Sequence, residues 1–226
     1  MMVAKIDKRE LKEPDKLQLF FLHCREFVER NRKMIYTGAG VFILALVIIS
    51  SWYFYQLNYQ AGADKLYSKI FESTLKPGTS NRDASVIKGY TDLIAQYPRS
   101  RSAIIARYQL GNLYRDRHEI DAAINAYQEF LDRASKDDDL TALSYSGLGL
   151  CYEEKKDFVK ALHAYEKSMS LSAATPFEAL NYGNIARVYE LMNNPSKASE
   201  YYRKALEKTT DPLMTLYLKR KIAFLG

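Results

Sequence analysis

Cysteine, histidine, proline and glycine are scarce in these 226 residues, which hold 2 Cys, 3 His, 6 Pro and 10 Gly. So little Gly and Pro excludes collagen-like and low-complexity chains, and 47% apolar residues exclude a wholly disordered one. Cys24, Cys151, His23, His118 and His163 form no Cys-x-x-Cys, His-Glu-x-x-His or His-x-His pair. A zinc site therefore lacks ligands at workable spacing. A Gly-rich phosphate loop and a Ser-His-Asp order are missing as well. No catalytic, cofactor-binding or metal-ligating residue is expected, and the chain reads as a non-enzyme. A strong excess of one charge sign is also absent. The net +6 comes from 33 Lys+Arg against 27 Asp+Glu, and the signs are interleaved. That pattern gives no footprint for nucleic acid, and nothing points to a small-molecule substrate.

What is present divides the chain. Residues 34–55, from Met34 through Tyr36, Leu44 and Trp52 to Tyr55, contain no charged side chain. As a helix this run would be about 33 Å long, against a hydrocarbon core of roughly 30 Å. Trp52, Tyr53, Phe54 and Tyr55 gather at one end, as amphipathic rings do at the headgroup level. A transmembrane anchor over 34–57 is expected. Ala61-Gly62-Ala63 has the form of a signal-peptidase site, but bulky aromatics separate it from the apolar run. The 33 residues before the run are also long for a signal peptide, so an uncleaved anchor is favoured. No Cys stands directly after the run as a lipoprotein would require.

Flanking charge sets the expected orientation. Arg25, Arg30, Arg32 and Lys33 precede the run within ten residues, and Lys65 alone follows it within ten. The positive-inside rule then places the N-terminus in the cytoplasm and the remainder on the far side. Cys24 and Cys151 would be separated by the membrane, leaving Cys151 as a small buried apolar residue. Residues 1–33 read as a cytoplasmic tail whose helix, Asp15 to Arg32, carries Leu17, Phe20, Phe21, Phe27 and Val28. Such a face suits the inner leaflet or a partner, or no partner at all.

Residues 58–226 repeat. Tyr90, Tyr127, Tyr165 and Tyr202 recur at intervals of 37, 38 and 37, each four residues after Val86, Ala123, Ala161 or Ala198. Upstream stand Leu110-Gly111-x-x-Tyr114, Leu148-Gly149-x-x-Tyr152 and Ile185-Ala186-x-x-Tyr189. These motifs resemble the tetratricopeptide repeat, in which a small residue lets paired helices A and B approach and large aromatics fill the gaps. Two departures are visible: Arg107, Tyr145 and Tyr182 stand at the usual Trp position, and the period exceeds 34. Helices are expected near 61–74, 83–97, 100–115, 119–133, 138–154, 157–171, 176–192, 195–208 and 212–224. Thr175-Pro176, Asn194-Pro195 and Asp211-Pro212 read as helix starts, and Lys76–Asn81 as a breaker. The fold class is all-α: one transmembrane helix, then a solenoid of about four helical hairpins with a capping last helix.

A solenoid of this kind offers a concave face lined by A helices. With Gly111, Gly149 and Ala186 taken as position 8, positions 2, 5, 9 and 12 fall on three sets of residues. They are Ile105, Tyr108, Asn112 and Arg115, then Leu143, Ser146, Leu150 and Glu153, then Leu180, Gly183, Arg187 and Glu190. Tyr108 is the expected anchor, since a ring gives large contact area for little rotamer entropy. Arg115 and Arg187 are expected to hold carbonyls or acidic side chains, with Glu153 rejecting the wrong charge. Tyr108 and Leu180 stand where a chaperone-tail carboxylate clamp would need Lys, so such a tail is not expected.

A short cytoplasmic tail, one span and a far-side repeat domain resemble the ancillary SecYEG translocon subunits of bacteria. Glu13-Pro14-Asp15, the helix from Phe20 to Lys33, and Lys221-Ile222-Ala223-Phe224-Leu225 carry that resemblance. It implies a single-pass inner-membrane protein with a periplasmic scaffold or chaperone domain. Its partners would be translocon components, membrane-anchored folding factors or exported clients. Tyr97-Pro98-x-Ser100 before a Leu-Gly-x-x-Tyr helix is similar to cell-division coordinators and outer-membrane assembly factors, the alternative reading. An enzyme using Glu153, Glu154 and Glu190 is a further alternative. A eukaryotic organelle-anchored receptor would need its repeats in the cytosol, which the charge asymmetry opposes.

Overall fold

The computed structural model describes residues 16–75, 82–134, 139–171 and 177–226. Within them nine α-helices and no strand occur. Two compact units are found, Met1–Leu57 and Asn58–Gly226. Glu13-Pro14-Asp15, the breaker Lys76–Asn81 and the Thr175-Pro176 helix start lie outside the described residues.

The described part of the first unit is residues 16–57 of helix α1 (Lys16–Leu75), whose regular geometry is interrupted at Asn31 (φ −110°, ψ 16°). The Asn31 side-chain amide donates to the Phe27 carbonyl at 2.9 Å, competing with the helix ladder where the irregularity falls. Between Val41 and Tyr55 the large apolar side chains are exposed, Trp52 at 63% and Tyr55 at 64%. α1 contains one stretch long and apolar enough to cross a membrane. The helix expected at 61–74 is the last part of α1, because no Pro or Gly stands between Trp52 and Ala61 to stop it.

The second unit is a stack of hairpins. Residues 58–75 pack on α2 (Arg82–Gln96) through Ala63, Ile70, Val86, Tyr90 and Leu93. Then come α3 (Arg101–Asp116) with α4 (Ile120–Leu131), α5 (Asp139–Glu154) with α6 (Phe158–Met169), and α7 (Glu178–Leu191) with α8 (Pro195–Lys208). Helix α9 (Pro212–Leu225) follows. The periodic tyrosines are the largest buried side chains, and Ala123, Ala161 and Ala198 are wholly buried one turn before three of them.

Local chemistry sets the boundaries. Ser100 Oγ accepts from the Ala103 N–H at 3.0 Å, capping α3. The segment before α3 is tied to α1: the Arg99 N–H donates to Tyr59 Oη at 3.2 Å and the Arg101 N–H to Gln60 Oε1 at 3.1 Å. Asn194 and Asp211 cap α8 and α9, each followed by Pro at the start of the helix. Each of the three later hairpins turns through one left-handed residue: His118 (φ 58°), Lys156 (φ 60°) and Asn193 (φ 55°). The next N–H, of Glu119, Asp157 or Asn194, then returns to the carbonyl of the signature Tyr114, Tyr152 or Tyr189 at 2.8–2.9 Å. That bond has the span of a Schellman closure.

The small-residue positions explain the close approach. A Cβ on Gly111 would lie 2.6 Å from the Tyr127 ring, and one on Gly149 would lie 2.5 Å from the Tyr165 ring. Gly147, which the repeat pattern does not single out, is equally constrained: its Cβ would meet Tyr127 Cζ at 2.6 Å. Tyr127 is thus held between Gly111 of its own hairpin and Gly147 of the next.

Candidate functional site

The concave positions gather around the hydroxyl ends of the buried tyrosines. Tyr127 Oη donates to Asn112 Oδ1 at 2.6 Å and accepts from Arg115 at 3.3 Å. Tyr165 Oη donates to Glu153 at 3.3 Å, and Tyr202 Oη donates to Glu190 at 2.9 Å. Burial raises the pKa of all three phenols. They stay neutral donors and fix the groove side chains they touch.

Ion pairs then link one hairpin to the next. Glu153 on α5 takes two bonds from Arg187 on α7, Nε to Oε1 at 2.7 Å and a terminal nitrogen to Oε2 at 3.0 Å. These bonds raise the Arg187 pKa against the opposing effect of burial. Glu190 accepts both carboxylate bonds from Lys221 of α9, at 2.8 and 2.9 Å. Burial alone would raise the Glu190 carboxyl, but Lys221 and the Tyr202 hydroxyl hold it below its ordinary value. Arg115 pairs with Asp116 at 2.9 Å, and His118 with Glu154 at 2.9 Å.

A cleft of about 650 Å³ opens on this face, lined by Arg115, Asp116, His118, Leu150, Glu153, Glu154 and Leu191. It contains three of the residues the sequence proposed, Arg115, Leu150 and Glu153. Asn112, Arg187 and Glu190 enter the same network through the bonds above. Tyr108 sits apart from the cleft lining, half-buried, with its ring 6.2 Å from Tyr127 and 5.9 Å from Phe130. Truncating it would therefore cost packing as well as any contact to a partner. Ser146, expected on the groove, is buried instead. It donates to Asn181 at 2.8 Å and lies 3.0 Å from Ser168 Oγ, a polar knot joining α5, α6 and α7.

Several contributors were not legible in advance. Asp116, His118 and Leu191 lie between or beside the counted positions, and Lys221 lies on the helix expected only to cap. Counting 37 residues on from Asn184 would have reached Lys221. The carboxylates named for an enzymatic alternative, Glu153, Glu154 and Glu190, face Arg187, His118 and Lys221 respectively. Cys151 is wholly buried, and burial pushes its thiol up to about 11, which leaves it protonated near neutrality. Among the described residues no three metal-ligating side chains converge.

The class of protein follows from this geometry: a solenoid of helical hairpins whose paired helices meet at small residues beneath a buried tyrosine. Tetratricopeptide-repeat models match residues 100–174 and 179–207, so the chain carries tetratricopeptide repeats over both segments. Among solved structures it is similar to a MamA protein, at 19% identity and TM-score 0.54, over 75% of this chain and 79% of that one. A second is MamA from Desulfovibrio magneticus RS-1, residue 41 to the end, at 17% identity and TM-score 0.53, over 65% of this chain and 75% of that one. A third is a chain of the APC/C hetero-tetramer Cut9-Hcn1, at 19% identity and TM-score 0.52, over 62% of this chain and 26% of that one. These likenesses establish the fold alone. Comparison with curated proteins finds no match.

The Tyr97-Pro98-x-Ser100 motif has a local explanation. Tyr97 packs edge-on to Tyr59 at 5.2 Å and Ser100 caps α3. Tyr97 thus packs within the first hairpin and Ser100 starts the second, so the motif does not favour the envelope-assembly reading over the translocon one.

Proposed function

We propose that the chain is a membrane-anchored protein-interaction scaffold whose repeat domain works outside the cytoplasm, beside the protein translocon. Its partners are translocon components, membrane-anchored folding factors or exported clients. The observation that carries this reading is the joining, in one chain, of an exposed apolar helical stretch to an open concave repeat face. Residues 34–57 anchor the protein, and 1–33 form the cytoplasmic tail. Exposed apolar side chains from Val41 to Tyr55 are costly in water and favourable in lipid. The concave face supports the interaction half of the reading. It has a cleft, apolar contact at Leu150 and Leu191, and charges of both signs in fixed positions. Such surfaces suit peptide or helix recognition.

Topology tests the anchoring half. A reporter active only in the periplasm, fused after Gly226, is expected to work, and a membrane-impermeant thiol reagent added to intact cells should miss Cys24. Cys24 is exposed in the structure, so protection would report the membrane and not burial. A reporter that works only in the cytoplasm would reverse the orientation and remove the translocon reading with it.

A further inference from the structure

The centre of the concave face has its charges matched internally, Glu153 with Arg187 and Glu190 with Lys221. Its C-terminal end does not. The repeat interval carried on from Ala186 places Ala223 at position 8, preceded by Ile222, as Gly111 is by Leu110. The packing agrees with that register. Lys221 stands at the position of Gly147 and Asn184, and its Nζ lies 6.0 Å from the centre of the Tyr202 ring. Helix α9 is therefore a further A helix, and its concave positions 2, 5 and 9 are Tyr217, Arg220 and Phe224.

Those positions are open. Phe224 is 83% exposed, Leu213 three turns earlier 78%, Tyr217 47%, and Leu180 on α7 51%. Gly183, at position 5 of α7, adds no side chain: a Cβ there would have only Met214 Cε within 4 Å, at 3.8 Å. Exposed large apolar side chains gathered in this way mark an interaction surface. Its charge has one sign. Residues 212–226 contain Lys219, Arg220 and Lys221 and no Asp or Glu. Lys221 is engaged by Glu190, while Arg220 and Lys219 form no ion pair among the described residues.

We propose that the exposed positions Leu180, Gly183, Leu213, Tyr217 and Phe224, with Arg220 among them, seat an apolar protein segment bearing a carboxylate. This rests on the reading of the repeat domain as a protein-binding module, and it names the chemistry that module selects. The apolar side chains supply contact area, and Arg220 supplies the discrimination. The occupant is negatively charged because nothing in α9 offers an acid to the exposed cations. The same argument disfavours a second copy, since two α9 faces would bring like charges together.

The test uses the full chain in nanodiscs of neutral phosphatidylcholine and two fluorescein-labelled dodecapeptides. One is built of Leu, Phe, Ala and two Glu; its twin carries Lys in place of both Glu. Fluorescence anisotropy is expected to show the Glu peptide bound at least tenfold more tightly than the Lys twin. Arg220→Glu should invert that preference, and Phe224→Ala should weaken the Glu peptide at least fivefold with the melting point unchanged, as befits so exposed a ring. Equal binding of the twins, or an unchanged preference in Arg220→Glu, overturns the proposal. If Leu150→Ala weakens binding while both α9 variants bind as wild type, the concave-face reading stands and the α9 seat falls. A dimer by light scattering that Phe224→Ala makes monomeric would show a self-interface and overturn the proposal too.

Discussion

Gly149→Leu is expected to destabilise the repeat domain by about 3 kcal/mol or more, at the upper end of what overpacking costs. Even a Cβ at this position would lie 2.5 Å from a Tyr165 ring that is itself wholly buried. The ring cannot retreat without opening the α5–α6 contact, and Leu adds three further carbons. For a domain of this size the midpoint should fall by roughly 6–12 °C, read by circular dichroism on the full chain. Gly149→Ala should cost much less. Ala186 stands at the equivalent place beneath Tyr202, both wholly buried, so that hairpin packs with a Cβ in this position. Lys155→Ala serves as control, since it removes only an exposed pair with Asp121. If Gly149→Leu melts with the control, the repeat register is wrong and every groove position moves with it.

The second large effect is expected at the bridge between hairpins. Glu153 and Arg187 are 14% and 37% exposed, and their two-bond pair is shielded enough to matter. Removing either partner leaves the other charge half-buried without its counterpart, a loss of about 2–3 kcal/mol. The double variant Glu153→Ala, Arg187→Ala should lose less than the sum of the singles, with a coupling of about 2 kcal/mol in a double-mutant cycle. Simple additivity would mean that the pair is not formed in solution. Arg187 would then be available to a partner, as the sequence suggested. With the pair formed, Arg187 holds two hairpins together, and its substitution cannot separate binding from stability.

The helices were legible because their signals are local. Asn194-Pro195 and Asp211-Pro212 start α8 and α9 at the residues their capping chemistry names. The recurring tyrosines and small residues gave the register, which the Tyr127–Gly111 and Tyr165–Gly149 contacts share. The hairpin turns were less legible. His118 and Lys156 adopt a left-handed conformation that favours Gly or Asn, and only Asn193 advertises it. Gly147 was missed because its neighbour, Tyr127, lies on the preceding hairpin, and a single-repeat pattern does not describe contacts between repeats. Ser146 was misplaced for a related reason. Its position faces the groove by count, but Ser168 and Asn181 offered hydrogen-bond partners inside the stack. Charge pairing is the least legible layer, since Glu153–Arg187 and Glu190–Lys221 join residues 34 and 31 apart.

The central claim is that the repeat face, and not the tail before residue 34, meets other proteins. A photoreactive amino acid placed at Leu150, inside the cleft, measures this most directly when the full chain is crosslinked in intact membranes. The same probe is placed at Phe20 on the tail for comparison. The account predicts discrete adducts with another polypeptide from Leu150, persisting when Phe20 and Phe21 are changed to Ser. Adducts from Phe20 alone, with none from Leu150, would contradict it.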